Sequence, residues 1–534
     1  MARTYISLFS SAGVGCYGFK MNGFRCIATN ELLSARLDIQ RANNKCEYES
    51  GYICGDATDV ETHNRIMAEI ERWQNEQNLQ QVDVVFATPP CQGMSTANYK
   101  KTDHEQVRNS LVVEAIKMIK MIRPKVFVFE NVRAFMKSIC TDISGKDMLI
   151  KDSIFENLSE HYNIYWKVIN FKDYGVPSSR PRTIVIGTSR ELGHVCPLHL
   201  FPTRCKEIPL IESIGNFARL NYCEKDANDP LHFARPFPKY MLDWIKDLKE
   251  GETAFDNPDE TKPCTFDANG NRVVNKGAYM GNKYRRLIWN RPGACIATRS
   301  DVMSSQDTIH PCDNRVLSIR ELMTLMTIPD TFRWTDHDEQ LSVENSDAYL
   351  KENEGNIRRC IGEAVPTHIG YSIAKKIKTL LDYEDYMNGI DNDIDIQNNF
   401  YIRNNDLKND YFDVSNAFTD IMKLNNDVSD ITIGLDSLAT FVEYIDILSS
   451  YFSHADNLNI DVYIENDEEM KRFQEIINVM KLGSNVHIKS INNPLISFYD
   501  VRVSATGYSE YKRPKVRRKT SAVKKDDCVQ LSLF

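Results

Sequence analysis

The sequence lacks any apolar run approaching bilayer-spanning length, and it opens without a charged-then-apolar stretch. The first absence argues against a membrane-embedded protein and the second against a secretory signal, so a cytoplasmic location is expected. Its fourteen cysteines show no regular spacing and no CxxC pair. Neither a disulfide framework nor a zinc site is therefore expected. Positive charge is also short: 65 Lys and Arg stand against 74 Asp and Glu, a net charge of −9. Any nucleic-acid surface must then be a local patch. What is present is a globular composition, 42% hydrophobic and 26% charged, over 534 residues. That length exceeds one ordinary core, so at least two domains are expected.

The most informative stretch runs from Val82 to Ser95. Val82-Asp83-Val84-Val85-Phe86-Ala87 reads as a buried strand that Pro89-Pro90 stops abruptly. Cys91 follows at once, at the carboxyl edge of a sheet where α/β proteins bind ligands. A reachable thiolate there is a nucleophile; a small buried turn residue is the alternative. Earlier segments point to the same edge. Tyr5–Phe9 reads as a first strand running into a small-residue turn, Ser10 to Phe19, that opens a helix. That turn is not read as the dinucleotide fingerprint GxGxxG, and a structural turn and a nucleoside site both stay open. Cys26–Thr29 ends at Asn30-Glu31, where an acid can hold ribose hydroxyls. Tyr52–Cys54 ends at Gly55-Asp56-Ala57, and the Asp56 carboxylate can accept from an adenine amino group.

Past Cys91, Gln92 to Asn109 reads as a polar loop able to close over substrate. A helix is predicted from Ser110 to Ile122, and Lys125–Phe129 as a buried strand ending in Glu130-Asn131-Val132, an acid at the same edge. Ile164–Phe171 reads as a strand. Arg180 and Arg182 alternate along an extended segment and are expected to point the same way, onto a phosphate or a base carbonyl.

These segments in this order resemble the DNA (cytosine-5) methyltransferase family, of bacterial or phage type, that uses S-adenosylmethionine. The match rests on Phe9-Ser10-x-Ala12-Gly13, Pro89-Pro90-Cys91-Gln92, Glu130-Asn131-Val132 and Arg180-x-Arg182. Further on it includes His310-Pro311, Asn314-Arg315, Arg320-Glu321-Leu322, Pro329-Asp330-Thr331-Phe332 and a last segment read as helical, Gly362 to Pro366. The resemblance spans about 380 residues, and ordered motifs at compatible spacing are far more specific than any single one. Four residues depart from the pattern. Ser11 and Val14 stand at turn positions that are often glycine, Ser178 where glutamine is usual, and Glu363 where asparagine is usual.

The resemblance implies an α/β fold: a Rossmann-like S-adenosylmethionine-dependent methyltransferase domain, residues 1–194 plus 306–384, with a smaller target-recognition domain at 195–305. It implies that Cys91 adds to carbon 6 of a flipped-out cytosine, that Glu130 binds the ring at N3 and the exocyclic amine, and that Arg182 with Arg180 holds O2. Phe9, Gly13, Gly15, Glu31, Asp56, Ala57 and Pro89 map onto the cofactor positions, and the chemistry so implied needs no metal. Within 195–305, Asn282-Lys283-Tyr284-Arg285-Arg286 and Trp289-Asn290-Arg291 interleave basic and aromatic residues, as phosphate and groove contacts require. Double-stranded DNA is the expected partner, bound by a monomer within the nucleoid.

The remainder lies outside the resemblance. Residues 385–430 are dense in Asn and Asp and read as a polar linker. Residues 431–504 read as a small α/β accessory domain, with Phe441–Phe452 and Glu468–Met480 helical and Ile460–Ile464 a strand. A basic tail, 505–534, ends in Gln530-Leu531-Ser532-Leu533-Phe534, which resembles the peptide that docks bacterial proteins on the DNA sliding clamp. The expected activity is sequence-specific DNA cytosine-5 methylation, in a restriction–modification system or by a solitary methylase. An RNA cytosine-5 methyltransferase and a catalytically silent DNA- or clamp-binding regulator are the alternatives.

Overall fold

Thr4–Leu8 forms the first strand, β1, buried along its whole length. Its residues alternate between two apolar layers: Ile6 and Leu8 face one, while Tyr5 stacks on Phe19 of the other at 5.1 Å between ring centroids. Around β1 the chain builds a seven-stranded sheet of β2 (Arg25–Glu31), β3 (Tyr52–Cys54), β4 (Val84–Ala87), β5 (Val126–Val132), β8 (Tyr162–Asn170) and β9 (Pro181–Ser189). The spatial order is β3-β2-β1-β4-β5-β9-β8, with β1 to β5 parallel and β9 antiparallel to both its neighbours. Strands such as Val126-Phe127-Val128-Phe129 are apolar on both faces because helices cover both. Helices α3 (Val60–Gln77), α4 (Leu111–Ile122) and α5 (Ile150–Leu158) bring Trp73, Ile116 and Ile154 into one core with Ile6, Val85 and Phe127. Between β5 and α5 lies a short hairpin, β6 (Ile139–Thr141) and β7 (Asp147–Leu149).

The computed structural model describes residues 2–90, 111–192, 197–274, 281–337, 341–342 and 345–388. Beyond these it describes 399–401, 430–435, 438, 441, 445, 457–464, 467–479, 486–491 and 501–506. Cys91, the Gln92–Asn109 loop, the basic tail past residue 506 and the Gln530–Phe534 peptide lie outside the described residues. The chain divides into two compact units, Met1–Asn392 and Asp393–Phe534. Among the described residues no helix is long and apolar enough to cross a membrane.

The other face of the first unit's sheet is packed by α1 (Val14–Met21) and α8 (Thr367–Asn388), and the contact is a backbone-to-backbone one. A Cβ on Gly18 would lie 2.2 Å from the Tyr371 nitrogen, and one on Gly370 would lie 2.1 Å from the Gly15 carbonyl oxygen. Only glycine admits that approach. Helix α8 runs past residue 384, where the catalytic domain was expected to end. The segment Gly362–Pro366 is also not a helix of its own. Helix α7 (Ser346–Glu363) ends there, Ala364 is extended, and α8 begins at Thr367. Pro366, lacking an N–H, sits at the break as helix-start chemistry dictates.

Within residues 195–305, Trp244, Ile245, Leu248, Cys264 and Met303 form a small core that Ile309 and Val316 close from beyond residue 305. A two-stranded hairpin, β10 (Cys264–Phe266) with β11 (Arg272–Val274), lies in the same region. Leu210, Ile214, Phe233 and Leu287 pack instead with helix α6 (Ile319–Leu325) and α7. The second unit carries a five-stranded sheet, β12 (Asn399–Tyr401), β16 (Val501–Thr506), β13 (Asp430–Leu435), β14 (Asn457–Tyr463) and β15 (Val486–Ile491) in that spatial order, with helix α9 (Asp467–Val479) between β14 and β15. Strands β13, β14 and β15 are parallel, as the strand–helix–strand pattern requires.

Candidate active site

The chain leaves β1 toward β2 on one side and returns through β4 on the other, so the crevice at the carboxyl ends of β1 and β4 is the switch point of the sheet. A small pocket lies there, walled by the turn after β1 (Ser10, Ser11, Val14, Gly15), by Thr88 past β4, and by Glu363–Val365. The turn is tightly wound. Phe9, Ser11 and Gly13 all take left-handed backbone angles, with φ of 56°, 47° and 80°. Such angles cost non-glycine residues of order 1–3 kcal/mol and persist where surroundings over-determine them. Here the ties are Gly13 N to Ser10 O at 2.9 Å and Thr88 Oγ1 to Phe9 O at 2.9 Å.

Gly13-Val14-Gly15-Cys16-Tyr17-Gly18 does carry the GxGxxG spacing, a correction to the reading from sequence. The glycines serve the turn itself and the approach of the α7–α8 connection: a Cβ on Gly15 would meet Val365 Cβ at 2.8 Å. Glu31, at the end of β2, is buried and held from three directions. Its carboxylate accepts from Ser11 N at 2.8 Å and Leu33 N at 3.3 Å, and it faces Arg36 Nη1 at 3.4 Å. Asp56 is exposed beyond β3, one oxygen accepting from Thr58 N and Oγ1 at 2.8 Å each, while the Ala57 carbonyl meets His63 Nε2 at 2.7 Å. Ser11 Oγ is buried on the pocket wall with no hydrogen-bond partner among the described residues. Buried polar atoms in folded proteins mostly have partners, so a ligand with a donor or acceptor fits this place.

The second half of the site lies one strand along. Asn131 donates through Nδ2 to Pro89 O at 2.8 Å, tying the end of β5 to the segment that leads into Cys91. Glu130 is buried beside it. Arg182 on β9 is its diagonal neighbour on the same face, because Glu130 pairs with Ile184 and Arg182 lies two residues away. Arg182 Nε stands 3.2 Å from Glu130 Oε1, an ion pair whose angles do not make a hydrogen bond, since that oxygen has no hydrogen-bond partner among the described residues. Burial pushes the Glu130 carboxyl above its ordinary range, and Arg182 and then Arg180 only partly offset it. An acid so placed can share a proton with a substrate ring.

Arg180 and Arg182 do not present their guanidinium groups alike. Arg180 is deeply buried and donates to Ile296 O at 3.2 Å and Gly362 O at 3.0 Å, bracing the pocket's back wall. Ser178 likewise acts as a brace, its Oγ donating to Leu325 O at 2.9 Å. Arg286, read from sequence as a phosphate contact, is buried and donates to the carbonyls of His310, Asp313 and Ile245. It serves the interior and not a DNA-facing patch. His310, Cys312 and Asp313 place ligand-type atoms close together, but those atoms are engaged. His310 Nδ1 accepts from Asp313 N at 2.9 Å, and Asp313 binds Arg315 and Arg219.

The pocket residues that sequence reasoning missed are Ser11 as a ligand-facing hydroxyl, Thr88, and Ala364-Val365. Ser11 and Glu363 were noticed only as departures from a pattern. Thr88 adjoins the strand-stop prolines, a signal that could have found it; the contact of Val365 with Gly15 has no local signature.

Comparison with known proteins gives concordant matches. The profile of a family described as C-5 cytosine-specific DNA methylase matches residues 3–379. The Type II methyltransferase M1.HgaI of Avibacterium volantium is 29% identical over 384 residues, covering 70% of this chain and 97% of that one. The Type II methyltransferase M1.HphI of Haemophilus parahaemolyticus is 30% identical over 333 residues, covering 62% and 79%. The Type II methyltransferase M.FnuDI of Fusobacterium nucleatum is 26% identical over 408 residues, covering 71% and 95%.

Proposed function

The chain belongs to the C-5 cytosine-specific DNA methylase family, and from that premise we propose a sequence-specific enzyme that methylates carbon 5 of a flipped-out cytosine through a covalent Cys91 adduct. Relatives named as Type II methyltransferases support a role as the modification enzyme of a restriction–modification system, though a solitary methylase would use the same site. The methyl group comes from S-adenosylmethionine, held at the β1–β4 crevice with Glu31 on the ribose, Asp56 and Ala57 at the adenine, and Phe9, Gly13, Gly15 and Pro89 shaping the turn around it.

Cytosine carbon 5 is a weak nucleophile. The Cys91 thiolate adds to carbon 6, and the electron pair of the 5,6 double bond becomes available at carbon 5. Glu130 meets N3 and the exocyclic amine, donating its proton to N3 as the ring gains electron density. Arg182 holds O2 and keeps Glu130 in place, and Arg180 braces the segment that carries Arg182. After carbon 5 has taken the methyl group it loses its proton to a base, and Cys91 leaves as thiolate. A base inside a duplex is out of reach, so it is turned out of the stack at a cost of a few kcal/mol. The observation that supports this reading is the buried Glu130, its carboxyl pushed above its ordinary range by burial, beside Arg182, one residue past the β4–β5 pairing and tied through Asn131 to Pro89.

Residues 195–305 are proposed as the region that reads the DNA, and the enzyme as acting alone on it. The Gln530–Phe534 peptide is proposed to dock on the sliding clamp, which would put methylation beside replication.

The test uses purified protein, labelled S-adenosylmethionine and mixed-sequence duplex DNA, with Cys91→Ser in parallel, followed by bisulfite sequencing. Label at one fixed sequence context, absent with Cys91→Ser, is expected. Label unchanged by Cys91→Ser would overturn the covalent route, and label on RNA alone would overturn the duplex substrate.

A further inference from the structure

Arg36, on helix α2 (Ser34–Ala42), has no part in the chemistry just described, yet its guanidinium lies between two carboxylates of the donor site. Nη1 stands 3.4 Å from Glu31 Oε1, and Nη2 donates to Glu363 Oε2 at 2.6 Å. The acids reach it from opposite ends of the unit, one at the end of β2 and one at the last turn of α7. All three side chains are withdrawn from water, at 14%, 7% and 29% exposure for Arg36, Glu31 and Glu363. Two carboxylates this close disfavour one another, and burial worsens the conflict. Burial pushes the Glu363 carboxyl up, Arg36 draws it down, and Glu31 pushes it up again. Glu363 is also a wall of the pocket and stands where the resemblance leads one to expect an uncharged asparagine.

We propose that Arg36 is a positioning residue of the methyl-donor site, whose single guanidinium lets Glu31 and Glu363 share one wall and holds Glu31 in the orientation that takes the ribose. Glu363 is accommodated because Arg36 is present, so the two form one functional pair built across the α2–α7 gap. This rests on the reading of the β1–β4 crevice as the S-adenosylmethionine site. Arg36 touches neither reacting atom, so its removal acts on donor binding and leaves the chemical step alone.

The experiment is a double-mutant cycle with Arg36→Ala, Glu363→Gln and the double variant, with Arg36→Lys as the conservative variant. S-adenosylmethionine binding is measured by calorimetry, and kcat and KM by methylation assay. Arg36→Ala is expected to raise the donor Kd and KM about tenfold with kcat at saturating donor within about twofold, as loss of a charge-assisted contact would. Glu363→Gln alone is expected to change Kd less than about threefold, and to restore most of the affinity in the Arg36→Ala background because the unbalanced acid is gone. Arg36→Lys should recover part of it. Additive losses in the double variant, or wild-type Kd in Arg36→Ala, would overturn the proposal while leaving the donor site standing. Failure of the wild-type protein to bind the donor would remove that site, and this inference with it.

Discussion

The two arginines of the Arg180-x-Arg182 segment separate into a brace and an orienting group, and variants should tell them apart. Arg180→Met strands the buried carbonyls of Ile296 and Gly362. It is expected to cost about 2–5 kcal/mol in urea unfolding, since each orphaned group forfeits its desolvation. Arg182→Met should leave the unfolding midpoint nearly unchanged and lower kcat by about 10²–10³, in the range of a lost oxyanion-type donor. A shared loss of stability in both variants would erase the distinction. The alternation of Arg180 and Arg182 was legible in the sequence; their different partners were not, because Gly362 and Ile296 lie far away along the chain. Glu130 was legible as an acid at a strand end, whereas its elevated pKa comes from packing that no local pattern encodes. The same holds for Arg286, whose basic-aromatic neighbourhood suggested a surface and whose fork in fact satisfies three interior carbonyls.

At the scale of elements, continuous apolar runs bounded by turn residues were enough to place β1 to β5 and β8 and to put the ends of β1 to β5 along one edge. The sequence did not reveal how α8 returns to α1, because that contact is made by what glycine lacks. Gly18→Ala would drive a methyl group against the backbone of Tyr371 and Thr367, at 2.2 and 2.6 Å. Neither neighbour can yield, so a loss of about 2–3 kcal/mol or more is expected in urea titration, as for overpacked cores. Gly355 on α7 is the control, with open space around its position. Gly355→Ala should gain about 0.5–1 kcal/mol by helix propensity alone. The capping box of α6 is a local case that the sequence reading passed over: Ser318 Oγ accepts from Glu321 N, and the Glu321 carboxylate accepts from Ser318 N.

For the whole molecule, acid is the expected weak point, and one buried cluster accounts for it. Burial drives the His310 imidazole from 6.5 down to about 4, against the pull of Glu321. The folded state therefore holds this proton less tightly than the unfolded chain. Stability is full above pH 6.5 and falls by up to about 3 kcal/mol as pH drops toward 4. Burial tends to raise the Glu321 carboxyl, but the paired Arg315 contacts at 2.7 and 2.8 Å prevail and leave it at about 2. That stability is present above about pH 4.5 and disappears as pH falls toward 2, the same direction. Unfolding measured from pH 7 to 4 should flatten in His310→Gln; an unchanged slope would assign the sensitivity elsewhere. A last consequence follows from Arg3, which precedes β1 and pairs with Asp382 at 2.8 Å and Asp385 at 2.6 Å on α8. Both ends of the first unit are thereby fastened at the edge of the sheet opposite the crevice, about 17 Å away by the rise of a five-residue strand. Within the first unit the strands therefore act as a spacer, with the crevice at one end and the Arg3–α8 clasp at the other.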